Sequence, residues 1–117
     1  MSAPNIVSVV TITGKTSVLA VTTSATAIVT NAAASGKVLK INALIVSNVD
    51  GSNGSWLTAD LYRSSVAYHI AKTIEIPADT SLAVLDKALY LEEGDTLRLT
   101  AEAASDLEAI CSYEEIS

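Results

Sequence analysis

IPADTSLAVLDKALYLEEGD, residues 76 to 95, shows most plainly what kind of protein this chain folds into. Leu82 and Val84 alternate with Ala83 and Leu85, Asp86-Lys87 breaks the run, and Leu89 and Leu91 flank Tyr90. Glu92-Glu93-Gly94-Asp95 then supplies acidic turn chemistry before the next apolar run. Strand, turn, strand and turn follow one another with no group suited to chemistry between them. Pro77, which has no amide hydrogen to give to a ladder, marks a strand end or an edge. This is the grammar of a small all-β unit.

Working outward, apolar residues keep period two rather than 3.6. Toward the carboxyl end, Leu97, Leu99, Ala101 and Ala103 alternate with Thr96, Arg98, Thr100 and Glu102. Ala104-Ser105-Asp106 turns the chain. Leu107, Ala109, Cys111 and Tyr113 form the inner face of a last strand, with Glu108, Ser112 and Glu114 outward and Ile110 out of pattern.

Toward the amino end, Val66 to Ile76 is a strand that sets Tyr68, Ile70, Lys72 and Ile74 against Ala67, His69, Ala71, Thr73 and Glu75. Trp56 to Arg63 is another, closed by Ser64-Ser65. Asp50 to Ser55 is an exposed loop tip. Val38 to Val49 is the longest strand, with Leu39, Ile41, Ala43 and Ile45 on one face and Leu44 to Val46 apolar on both. Asn31 to Gly36 is a small-residue loop, and Val18 to Val21 and Ala25 to Thr30 are short β-rich pieces. The first strand, Val7 to Ile12, stops at Gly14-Lys15 and is apolar on both faces. The expectation is one domain over residues 1–117: an antiparallel β-sandwich, of jelly-roll type if its sheets cross over, with about eight short strands and an extended amino-terminal strand.

A chain of 117 residues can bury one real core, and half of its residues are hydrophobic. With one Trp, four Tyr and no Phe, that core must be built of Val, Ile, Leu and Ala. The formal net charge of −6, with scattered Lys and Arg, argues against a nucleic-acid surface. The amino terminus MSAPNIVSVV lacks the basic segment of a secretory signal, and no apolar run reaches the ~20 residues that cross a bilayer. These features lead us to expect folding in a cytoplasm with no membrane partner.

Chemistry-bearing residues are few. His69 is the only histidine, sits mid-strand beside Tyr68 and has no G-x-S-x-G elbow to serve, so a surface or contact histidine is the favoured reading. Cys111 is the only cysteine and reads as a buried structural thiol. One His and one Cys far apart do not make a zinc site. Glu92-Glu93 with Asp95, and Glu114-Glu115, invite calcium or glycoside chemistry but lack the spacing of either, so solvated turns are favoured. Asp50, Ser52 and Asn53 lack a closing bidentate Glu. Gly14-Lys15-Thr16 resembles the tail of a phosphate loop without its preceding glycine or following helix, which leaves a hairpin turn. Trp56, Tyr62 and Tyr68 would have to share one face to make a sugar platform. No catalytic, cofactor or metal site is expected.

Three stretches carry a likeness: Asp60 to Ala101, DLYRSSVAYHIAKTIEIPADTSLAVLDKALYLEEGDTLRLTA; Asp106 to Ser117, DLEAICSYEEIS; and Ile12 to Asn53, ITGKTSVLAVTTSATAIVTNAAASGKVLKINALIVSNVDGSN. Together they resemble small virion structural proteins of tailed bacteriophages, cyanophages in particular. That resemblance implies a β-sandwich without catalytic role: a head decoration or cement protein contacting the major capsid protein, or a neck, tail or fibre-attachment component. Apolar strand faces in excess of one core point to a homo-oligomer, a trimer above other symmetries. The expected contact surface is Ala3 to Ile12 with the outer strand faces. The alternative of another class is a carbohydrate or host-surface binding module.

Overall fold

The computed structural model describes Asn5 and residues 7–117. Nine strands follow in order: β1 (Ile12–Ala20), β2 (Thr26–Thr30), β3 (Val38–Asn48), β4 (Ser55–Arg63), β5 (Val66–Ile76), β6 (Ser81–Ala83), β7 (Leu89–Leu91), β8 (Thr96–Ala101) and β9 (Leu107–Ile116). They form two antiparallel sheets, ordered β1-β9-β3-β6 with β7 also on β3, and β2-β8-β4-β5. Both β6 and β7 lie along β3, against Ile45–Ser47 and Leu39–Ile41 respectively, so they are one interrupted strand. Eight strand positions remain, and the chain crosses between sheets at every step except the β4–β5 hairpin. This is jelly-roll connectivity.

Alternation fixes the core. Leu57 and Ala59 of β4 and Leu97, Leu99 and Ala101 of β8 are all buried in one cluster with Leu107, Ala109 and Cys111 of β9 and Ile41, Leu44 and Val46 of β3, which belong to the other sheet. The interior is aliphatic, as the composition demands.

Bulges account for most departures from simple alternation. In β3 the pairing with β9 shifts between Ile41 and Ala43, so exposed Asn42 is the extra residue. After it the parity inverts: Leu44, Val46 and Asn48 turn inward, and Ala43 and Ile45, expected beside Leu39 and Ile41, turn outward. In β5 two irregularities put Tyr68, Ala71, Ile74 and Ile76 opposite Leu61, Ala59, Leu57 and Ser55, so the expected face of Tyr68, Ile70, Lys72 and Ile74 is broken.

The first strand differs most from expectation. It begins at Ile12 and runs unbroken through Gly14-Lys15 to Ala20, paired residue for residue with β9. Ahead of it, Asn5 captures the amides of Val7 through Oδ1 (3.0 Å) and of Ser8 through its carbonyl (2.9 Å), a local turn that competes with strand. The extended strand from Val7 is therefore absent, and Ala3, Pro4 and Ile6 of the expected contact segment lie outside the described residues. Two smaller corrections concern loops. Strand β8 ends at Ala101 rather than Ala103, and Ser55, placed in an exposed loop, opens β4 and is buried.

Between β4 and β5 the turn is Ser64-Ser65, both with positive φ (52° and 62°), a two-residue hairpin conformation that favours Asn-Gly. Ser65→Gly is expected to raise stability by about 0.5–1 kcal/mol, read as a higher urea midpoint with unchanged slope. A lower midpoint would show that the Ser65 side chain contributes more than its strain costs.

Candidate functional site

The two outer faces of the sandwich differ. On the second sheet, Arg98 donates from Nε and Nη2 to both oxygens of Asp60 (2.9 and 3.3 Å), and its guanidinium lies 3.8 Å from the centre of the Tyr62 ring. Asp60 is buried by this partner although it faces outward. His69 sits exposed across from Asp60 in the β4–β5 register. This face is polar and internally satisfied.

On the first sheet a row of apolar side chains crosses four strands in register: Val18 of β1, Ile110 of β9, Ile45 of β3 and Ala83 of β6. All four are exposed, Val18 to 72%. A shallow depression beside them is lined by Val18, Ala20, Ile110, Ser47 and Glu108. The row exists because the Asn42 bulge rotates Ile45 outward to meet Ile110. Ile110 is the residue that broke the alternation of β9 in sequence, and its neighbours explain it.

The edge of the same sheet is open. Thr11 and Ser117 exchange both backbone hydrogen bonds, and the Val21 amide donates to the Leu107 carbonyl, so odd-numbered residues of β1 face β9. Ile12, Gly14, Thr16, Val18 and Ala20 therefore direct their amide and carbonyl groups away from the sheet, with no backbone partner among the described residues. The strand carries no proline or bulge, and its one charge, Lys15, reaches Glu115 at 3.3 Å. By contrast, the outer strand of the second sheet, β5, is twice irregular and holds Thr73 at φ 48°. Such kinks blunt an edge, and β1 has none.

Most of the carboxylates singled out in sequence are engaged by partners within the chain. Asp95 is no solvated turn residue: its side chain is 1% exposed, accepts Arg63 Nε (2.6 Å) and Nη2 (2.5 Å) on separate oxygens, and accepts the Glu92 amide at 2.8 Å. Burial pushes its pKa up, but the Arg63 hydrogen bonds, the Glu92 amide and the Arg63 charge outweigh that and hold it below the usual carboxylate range. Arg63 is raised correspondingly. Glu92 takes a further bond from Arg63 (2.9 Å), while Glu93 accepts the Gly36 amide (2.9 Å). Gly94, at φ 90°, makes the turn that brings the three together. Asp95 and Glu92 share the Arg63 guanidinium while Glu93 turns to the Gly36 amide, so the three do not gather around a metal ion. Glu115 is lowered first by its hydrogen bond to Lys37 (2.8 Å), against some desolvation, with Lys15 adding to the effect.

Two buried asparagines hold the loops. Asn31 donates to the Lys37 and Leu91 carbonyls (both 3.0 Å), and Asn48 to those of Asn53 and Ile76 (both 2.9 Å). Asn48→Ala is expected to cost about 1–3 kcal/mol by stranding the Ile76 carbonyl, measured by urea denaturation. A loss below 0.5 kcal/mol would mean that water replaces the amide.

Other sequence candidates are dispersed. Cys111 is fully buried and its thiol is pushed up to about 11 by that burial. Gly14-Lys15-Thr16 is mid-strand, not a turn, and Asp50 caps its own loop by accepting the Ser52 amide at 2.9 Å. The aromatic platform is not assembled. Tyr68 pairs with Leu61 on the inner side, whereas Trp56 and Tyr62 are outward and six residues apart, a separation of roughly 20 Å along a strand. Among the described residues there is no group of three or more His, Cys, Asp or Glu placed to hold a metal ion, and no helix long and apolar enough to cross a membrane.

No family model matches this chain, and no curated protein does. Among solved structures it is similar to a chain from work described as "Bacillus endospore appendages form a novel family of disulfide-linked pili", at 18% identity and a TM-score of 0.51, over 90% of this chain and 87% of that one. The likeness is one of fold. Disulfide linkage does not extend to it in any simple way, because one cysteine per chain can join at most two subunits, and Cys111 is buried with a raised pKa.

Proposed function

We propose that this chain is a non-enzymatic structural subunit that assembles with sister copies and other proteins of a particle, in the form of a head decoration or cement protein of a tailed bacteriophage that contacts the major capsid protein. One observation carries the reading: the apolar row Val18–Ile110–Ile45–Ala83 across an exposed sheet face, beside an open strand edge. Four aligned apolar side chains on the water side of a sheet serve no internal packing and are covered cheaply only by another protein. The likeness of Asp60–Ala101 and its flanks to small phage virion proteins supplies the setting, the virion, and a sandwich shared with a described pilus structure is in keeping with an assembling subunit. A neck or tail component is the second reading within the same class. A glycan-binding role has less support, since Trp56, Tyr62 and Tyr68 do not share a face.

Antibody labelling of intact particles in the electron microscope tests the proposal. Regular labels over the head are expected. Labels confined to neck or tail would select the second reading, and particles without label would contradict the virion assignment.

A further inference from the structure

We infer that the open edge of β1 is a two-fold contact between copies of this chain, the strands pairing antiparallel about Thr16 so that two first sheets become one continuous sheet. The inference deepens the assembly reading by naming the partner and the geometry, and it rests on that reading. The groups that point outward belong to Ile12, Gly14, Thr16, Val18 and Ala20, a set symmetric about Thr16. An antiparallel copy centred there places Thr16 against Thr16, Gly14 against Val18 and Ile12 against Ala20, each a hydrogen-bonded pair. About ten backbone hydrogen bonds would form. Facing threonines are a favourable cross-strand pair, and the missing side chain at Gly14 leaves room for Val18.

Charge and continuity favour a second copy as the occupant. The protein is acidic, at −6, so most of its surface repels a like molecule, but ITGKTSVLA contains no acidic residue and one lysine. A two-fold axis normal to the sheet also keeps the outer faces of both copies on one side, with their two Val18–Ile110–Ile45 rows offset by four residues along the strands. Pairing of two strands by their edges is an established mode of recognition, and β1 has neither the prolines nor the bulges that prevent it, while its one charge, Lys15, is held by Glu115 of its own sheet. A two-fold contact gives dimers or multiples of dimers, in place of the trimer expected from symmetry alone.

The test uses three variants of the full chain. Thr16→Cys brings two thiols to Cα atoms about 5.5 Å apart in a hydrogen-bonded pair, within disulfide range. Oxidised glutathione should therefore convert it to a covalent dimer that Thr73→Cys, on the kinked edge, does not form. Thr16→Pro removes an amide hydrogen that has no backbone partner among the described residues, and should abolish association in light scattering while leaving the fold intact. Thr16→Lys, which leaves the backbone unchanged and sets two lysines face to face, should weaken association at least tenfold, and it decides the matter if the proline variant misfolds. If wild type associates but Thr16→Cys stays uncrosslinked and Thr16→Lys associates normally, the edge contact is overturned while the assembly reading survives. A wild-type chain that is monomeric at every concentration overturns both.

Discussion

Arg63→Met is expected to destabilise the protein by about 2–3 kcal/mol at pH 7, because it strands the buried carboxylate of Asp95 beneath the turn that joins β7 to β8. Breaking a fully buried pair costs more, about 3–5 kcal/mol, but the Arg63 side chain is 43% exposed and water takes over part of its role. The pH dependence separates this mechanism from simple loss of packing. In the wild type the folded Asp95 pKa lies below its unfolded value, so its contribution is complete above about pH 4 and is lost as pH falls through the folded value. In the variant the desolvated carboxylate loses its compensation, its pKa rises, and protonation relieves it. The gap between the two proteins should therefore be widest near neutrality and narrow below about pH 4, measured by urea unfolding across pH. A gap independent of pH would show that Arg63 stabilises through its methylenes alone.

Leu57→Ala carries the largest expected loss, about 3–5 kcal/mol. Leu57 is fully buried on β4, flanked by Ala101 on β8 and Ile74 on β5, in an interior without phenylalanine. Small aliphatic neighbours have few rotamers with which to fill a cavity, so little relaxation is available. Native domains have about 5–15 kcal/mol of stability in total, so the variant should unfold at a much lower urea concentration. Ile45→Thr is the informative counterpart. Its side chain lies on the outer face, and unfolding of the separated subunit should change by under about 0.5 kcal/mol, whereas any assembled state should lose contact area. A loss as large as that of Leu57→Ala would mean that the outer row is part of the core.

Much of this architecture is written locally in the chain. Strict alternation with turn residues between runs placed β4, β5 and β9 almost to the residue, and Asp86-Lys87 marked the break that divides β6 from β7. What the chain did not disclose depends on partners distant in sequence. The Asn42 bulge lies in the register between β3 and β9, strands far apart in the chain, and nothing at Asn42 signals it. Its consequence is functional, since it turns Ile45 to the outside. The expected strand at Val7 lost to a turn made by Asn5, whose side chain is a known competitor for backbone amides and was a readable cue. Val7 and Val10 are left 88% and 92% exposed by that turn. Asp95 read as a solvated turn residue because its partner, Arg63, lies 32 residues earlier. The outward Ile110 and the doubly apolar run Leu44 to Val46 were visible hints of a contact face, and the register shows that Ile110 and Ile45 lie side by side there and that Val18 extends the row.

Amide hydrogen exchange as a function of protein concentration tests most directly whether the first sheet's open edge is a contact between copies. The amides of Ile12, Gly14, Thr16, Val18 and Ala20 have no backbone partner among the described residues and should exchange rapidly in dilute solution, then become protected as concentration rises, while exchange along β5 stays unchanged. Rapid exchange of those five amides at every concentration would contradict the account.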